Sequence, residues 1–165
     1  MILYEDVLRA FQKAKVKYVI VGGIAVNLHG FLRSTVDMDI LVEMTDENLK
    51  KVVTILKGKG YRVKQPVDPM GLTDRRTRQD WIKNKNMKAF NFYKDAELKE
   101  VDIIIDSPVS YEMAKKNKVN FRTDVGPLPA ISINDLLKMK KKAGRLADGI
   151  DIEQLKRIKK LRERA

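Results

Sequence analysis

The chain has 165 residues, 44% hydrophobic and 34% charged, a composition that fits one compact folded domain with a core of its own. It has no cysteine and a single histidine, which excludes disulfides, thiolate metal centres, cysteine nucleophiles and zinc sites built on several histidines. Its net charge of +12 suits either attraction to polyanions such as RNA, DNA or nucleotides, or a solubilising surface.

No apolar run approaches the roughly 20 residues of a membrane helix. The opening "MILYEDVLRAF" lacks the basic segment of a signal peptide, so no membrane partner and a cytoplasmic location are expected. Residues 2–15 place Leu3, Val7, Leu8, Phe11 and Ala14 at helical spacing. "KYVIV" (17–21) reads as a buried strand, ended by Gly22 and Gly23, and "IAVNLHG" (24–30) as a short helix closed by Gly30. "MDILVEM" (38–44) is a second buried strand, antiparallel to the first or joined to it in a tight local unit. Thr45 then caps a helix to about Lys57.

Tyr61–Gln65 reads as a strand. Pro66, Pro69, Gly71 and the basic "DRRTRQ" mark residues 66–86 as a long loop, a flap over a site. Strands follow at 87–93 and 99–106, then a short helix from Ser107 or Pro108 through Lys115, and a strand at 119–123. Ser132 and Asp135 form a capping-box signature for a helix to about Ala143, and a last helix starts near Asp151. No repeat or interdomain linker interrupts residues 1–165, so one domain of α/β (α+β) class is expected, with a sheet of mixed direction.

Three carboxylates carry the chemistry. Asp37 and Asp39 alternate with buried residues, so both side chains leave the same face of their strand. Asp102 sits among Val101, Ile103 and Ile104, again acidic in a buried run. Neighbouring carboxylates repel, and a divalent cation removes the repulsion; Mg²⁺, or Mn²⁺, suits all-oxygen ligands shared with substrate phosphates. Gly22 and Gly23 lie between strand and helix, where backbone can approach a phosphate closely. Their conjunction with the D-x-D points to phosphoryl or nucleotidyl transfer.

"VGGIAVNLHGFLRSTVDMDILV" (21–42) resembles the signature of the DNA polymerase β-type nucleotidyltransferase superfamily, a small-residue pair followed by D-x-D and a later aspartate. The nearest branch is the small prokaryotic group related to abortive-infection, toxin-antitoxin nucleotidyltransferases, whose C-terminal pattern "INDLLKMKKKAGRLADGIDIEQL" (133–155) also resembles. The resemblance implies a nucleotidyltransferase-like mixed β-sheet flanked by helices, with further helices at the C-terminal end. It implies Mg²⁺ (or Mn²⁺) with a nucleoside triphosphate (ATP or another NTP) as substrate. Asp37 and Asp39 then bind metal, and Asp102 completes the set and helps activate the acceptor hydroxyl. Gly22 and Gly23 contact the triphosphate, with Arg33, Thr35, Lys140 and Arg145 as further nucleotide-binding residues. Ala147 departs from the pattern, where relatives carry lysine.

The activity this implies is transfer of a nucleoside monophosphate to an acceptor hydroxyl of unknown identity, with the charge favouring RNA, tRNA in particular. The alternatives are an inactive nucleotide- or RNA-binding module, and one subunit of a two-protein complex whose protein partner supplies the acceptor site. His29 and Trp81 are read as packing residues, and Arg75, Arg76 and Arg78 as candidates for polyanion contact.

Overall fold

The computed structural model describes residues 3–165; the part of the first expected helix that falls on Ile2 lies outside them. The described chain forms a seven-stranded mixed sheet packed against helices. Its central strands are β1 (Tyr18–Val21), β2 (Met38–Val42) and β5 (Lys99–Ile104). β4 (Ala89–Lys94) and the short β3 (Arg62–Val63) extend one side, and β7 (Gly126–Ala130) and β6 (Val119–Thr123) the other, giving the order β3-β4-β5-β2-β1-β7-β6. β1 and β2 run antiparallel, with Val21 opposite Asp39, which resolves the two orientations left open by the sequence. β2 runs parallel to β5, with Asp39 opposite Asp102.

β1 is buried along its whole length, as its run of apolar residues requires. α1 (Glu5–Lys13) lays Val7, Leu8 and Phe11 into the core, and Tyr4 just before it is fully buried. α2 (Gly22–His29) starts on the first glycine itself, two residues earlier than the sequence suggests, and Gly30 closes it in the left-handed conformation (φ +116°). α3 (Asp46–Gly58) is capped by the Thr45 hydroxyl, which accepts from the Asn48 amide. His29 packs as expected. It is buried, with Nε2 2.7 Å from the Ile131 carbonyl and its ring edge-on to Phe121.

One expectation is corrected. Residues 66–86 are not an open flap: a 3-10 turn (Pro69–Thr73) leads into α4 (Arg75–Asn84), capped by Asp74. Trp81 stacks flat on Phe90 at 5.4 Å, and Gly71 must be glycine because a Cβ there would stand 2.8 Å from the Trp81 ring. Arg78 is buried too, bonded to Asp46 and to the Leu72 and Met44 carbonyls at 2.7–3.0 Å, so it is structural, while Arg75 and Arg76 face solvent. A strand the sequence reading does not include, β7, opens at Gly126-Pro127, pairs with β6 and reaches β1 at Ile20–Ala130. Smaller shifts concern the helices near the end. α5 is Tyr111–Asn117, capped by Ser110, and α6 is Ile133–Ala143, capped by Ser132 as expected. α7 runs from Leu146 to Arg164, starting five residues before Asp151.

Candidate active site

The register of the sheet brings the expected residues together. Asp39 on β2 and Asp102 on β5 are direct neighbours across a parallel pair, and Gly22 at the head of α2 abuts Asp39. A pocket of about 640 Å³ opens over them, walled on its far side by Met139, Lys140 and Ala143 of α6 and by Arg145. Val21 and Gly22 line it as well, and α2 has no side-chain cap and no acidic residue in its first turn. Its leading N–H groups are therefore available to an anion.

Burial raises the Asp39 carboxyl to about 6, with the charge of Asp37 adding to the rise and Arg145 and Lys140 opposing it. Asp102 is raised to about 7, chiefly by burial; its hydrogen bond from Asn91 acts the other way and the charge of Asp39 reinforces the rise. Asp37 lies at the exposed rim just before β2, outside the pocket lining. Burial and the nearby Glu100 raise it, and Lys64 lowers it.

Among the described residues no group of three or more Asp, Glu or His side chains is arranged to hold a metal ion as they stand. Of the three expected ligands, Asp37 is the one outside the pocket lining. The donor chemistry of the other two nevertheless fits a hard divalent cation. Both are oxygen donors, they neighbour each other in register, and both are held above the usual carboxylate range by burial and repulsion that a cation would offset. The space beside them is kept open by Gly22, where a Cβ would come 2.0 Å from Asp39 Oδ2.

The expected phosphate ligands divide into two kinds. Lys140 is buried, with Nζ 3.1 Å from Asp148 and 2.8 Å from Asp151. Arg33 grips the same Asp151 with Nε at 2.9 Å and a terminal nitrogen at 3.0 Å. These two cations are held by α7, and they tie it to α6 and to the segment that leads into β2. Arg145 also pairs with Asp148, at 2.9 Å, but its side chain is 73% exposed and lines the pocket. It alone of the three combines a reachable head group with a place in the pocket wall. Thr35 lies against the head of α2: a Cβ on Gly23 would stand 2.5 Å from Thr35 Oγ1 and 3.0 Å from Arg33. Gly23 thus permits the Arg33–Thr35 segment to close onto α2.

Sequence reasoning missed several members of this framework. Asn27 brackets Arg33, accepting from its backbone N–H and donating to its carbonyl, both at 3.0 Å. The Tyr4 hydroxyl joins the Val36 carbonyl, one residue before Asp37, to the backbone of Glu100 on β5. Asp148 and Asp151 stand three apart on one face of a helix, a spacing that signals a shared partner once the pair is noticed.

The chain matches the sequence model of the aminoglycoside-2''-adenylyltransferase family over residues 4–157. It belongs to that family. The nucleotidyltransferase superfamily suggested by the D-x-D signature is thereby shown, with an antibiotic adenylyltransferase family as the matching branch. No curated protein sequence matches the chain. Among solved structures it is similar to the lincosamide antibiotic adenylyltransferase LnuA in its lincomycin-bound form, with 21% identity and a TM-score of 0.61, over 90% of each chain. It is also similar to ANT(2")-Ia in complex with adenylyl-2"-tobramycin, with 14% identity and a TM-score of 0.57, covering 98% of this chain and 93% of that one. At these identities the likeness shows a common fold.

Proposed function

We propose that the protein transfers a nucleoside monophosphate, AMP first among the candidates, from its triphosphate to a hydroxyl of a small cationic acceptor and releases pyrophosphate. The observation that carries this reading is the register pair Asp39–Asp102 under the uncapped head of α2, with Arg145 on the facing wall. The N–H groups at the start of α2 and the Arg145 guanidinium receive the triphosphate. Asp102 accepts the proton of the attacking hydroxyl, and a pKa near 7 suits that task. The hydroxyl oxygen then bonds to the α-phosphorus as the bond to the pyrophosphate oxygen breaks. Asp39 and Asp102 would hold a Mg²⁺ or Mn²⁺ ion, with Asp37 able to join from the rim; when bound, such an ion neutralises phosphate charge.

The cationic acceptor is inferred from the acidic cluster, where the charge of Glu100 raises the carboxyls of Asp37, Asp39 and Asp102, Asp37 adds to the rise of Asp39, and Asp39 to that of Asp102. The names of the related structures, which carry lincomycin and adenylyl-tobramycin, support the same class. A second reading keeps tRNA as acceptor, favoured by the +12 charge. The test is incubation with each α-labelled triphosphate and Mg²⁺ or Mn²⁺ in the presence of an aminoglycoside, a lincosamide or tRNA, with Asp39→Asn as control. Label on a small molecule supports the first reading, label on tRNA the second. No label in any arm overturns both.

A further inference from the structure

We propose that Asn91, locked by Gln65, is a positioning residue that fixes which oxygen of Asp102 faces the pocket. This rests on the reading of Asp102 as the group that serves the acceptor hydroxyl.

Asn91 is the cross-strand partner of Asp102 on β4, in the middle of "AFNFY", where Phe90 and Phe92 point into the core and Asn91 to the opposite face. Its Nδ2 donates to Asp102 Oδ1 at 2.7 Å. An asparagine amide can present either its oxygen or its nitrogen, and only the nitrogen is compatible with a carboxylate. Gln65 removes that choice. Its Nε2 donates to Asn91 Oδ1 at 2.6 Å, and its Oε1 accepts from the Asn91 backbone N–H at 3.2 Å. The same Nε2 lies 3.3 Å from the Ala89 carbonyl, so one glutamine amide brackets the strand at three points. With Asn91 Oδ1 engaged, its NH₂ group must face Asp102. That bond anchors Oδ1 and leaves Oδ2 without a bond from Asn91, as the oxygen proposed to serve a ligand.

A carboxylate with one fixed oxygen loses a rotational freedom that would otherwise be lost at the moment of reaction. The sequence Gln65→Asn91→Asp102 joins the segment after β3, then β4 and β5, and no member is needed for core packing, since all three are only half-buried.

Asn91→Asp is nearly isosteric and replaces the donor by an acceptor, while Gln65→Met removes the bracket and keeps the bulk. In transfer assays Asn91→Asp is expected to lower kcat at least tenfold with KM for the triphosphate within twofold, and Gln65→Met to give a smaller loss of the same kind. Equal kcat in Asn91→Asp and wild type would overturn the proposal, as would a loss confined to KM. A second measurement does not need turnover. In the wild-type protein the Asn91 side-chain NH₂ protons are expected to be shifted and protected from exchange in NMR spectra, and Asp102→Ala is expected to abolish both effects. Unchanged signals in Asp102→Ala would overturn the proposal even in a protein that transfers nothing. Absence of transfer with the NMR effects present would instead count against the proposed activity alone.

Discussion

Gly22 and Asp39 cannot both carry a full side chain in this arrangement, because a Cβ on Gly22 would stand 2.0 Å from Asp39 Oδ2. Gly22 also has φ +64°, where side chains other than glycine are strained by about 1–2 kcal/mol. Gly22→Ala is therefore expected to lose at least that much stability in urea titrations. It should also lose the rise in melting temperature that ATP with Mg²⁺ is expected to give the wild type by binding the folded state. A full rise in the variant would show that the closeness of the two residues has no bearing on the ligand.

The raised carboxylates make a pH prediction. Asp39 titrates near 6 and Asp102 near 7 in the folded protein, against about 4 in an unfolded chain. Between pH 4 and 7 the native state holds protons that the unfolded state releases, so their contribution to stability falls as pH rises and its full cost is reached above pH 7. In EDTA, Asp39→Asn should be more stable than wild type at pH 8 by about 1–3 kcal/mol, with the difference vanishing near pH 4. Urea midpoints at the two pH values decide it; a constant difference is the contrary result.

Lys140 lies between Asp148 and Asp151 with almost no exposure. Removing one partner of a buried ion group costs about 3–5 kcal/mol because the remaining charges stay buried. Lys140→Met should show a loss of that order, and adding Asp148→Asn should recover part of it. If Lys140→Met weakened triphosphate binding and left the urea midpoint in place, the lysine would be a ligand rather than a strut.

The arginines of α4 should separate by burial. Arg78→Ala breaks three bonds in a closed environment and is expected to cost at least about 2 kcal/mol. Arg75→Ala with Arg76→Ala should stay within about 0.5 kcal/mol of wild type. If the protein binds tRNA, the double variant alone should lower the salt dependence. Denaturation and filter binding on the same preparations test both statements.

The site's centre was legible from local signals: Asp39 from a D-x-D at the mouth of a buried strand, and Asp102 as an acid set among Val101, Ile103 and Ile104. The roles of Lys140 and Arg33 were not, since a lysine reads alike whether its partner is a phosphate or a carboxylate one helix away. β7 was hidden by Pro127 and Pro129, which resemble turn residues but sit in a strand joined to β1 only at its end. α4 was hidden by composition: in "RRTRQDWIKN" the interior face is made by Trp81, a half-buried Ile82 and the buried but charged Arg78, too few apolar residues to show a helical stripe. Asn91 is a single polar residue between two phenylalanines, and its meaning depends on which strand lies beside it.

The clasp between Arg33 and Asp151 spans 118 residues of sequence. A chain leaving the ribosome presents β1, α2 and β2 long before α7 exists to hold the segment between them. During synthesis the carboxylates and glycines are thus already outside the tunnel while their fastener is still being made. The clasp can close only once Asp151 has been made, so the segment leading into β2 gains this anchor late in synthesis.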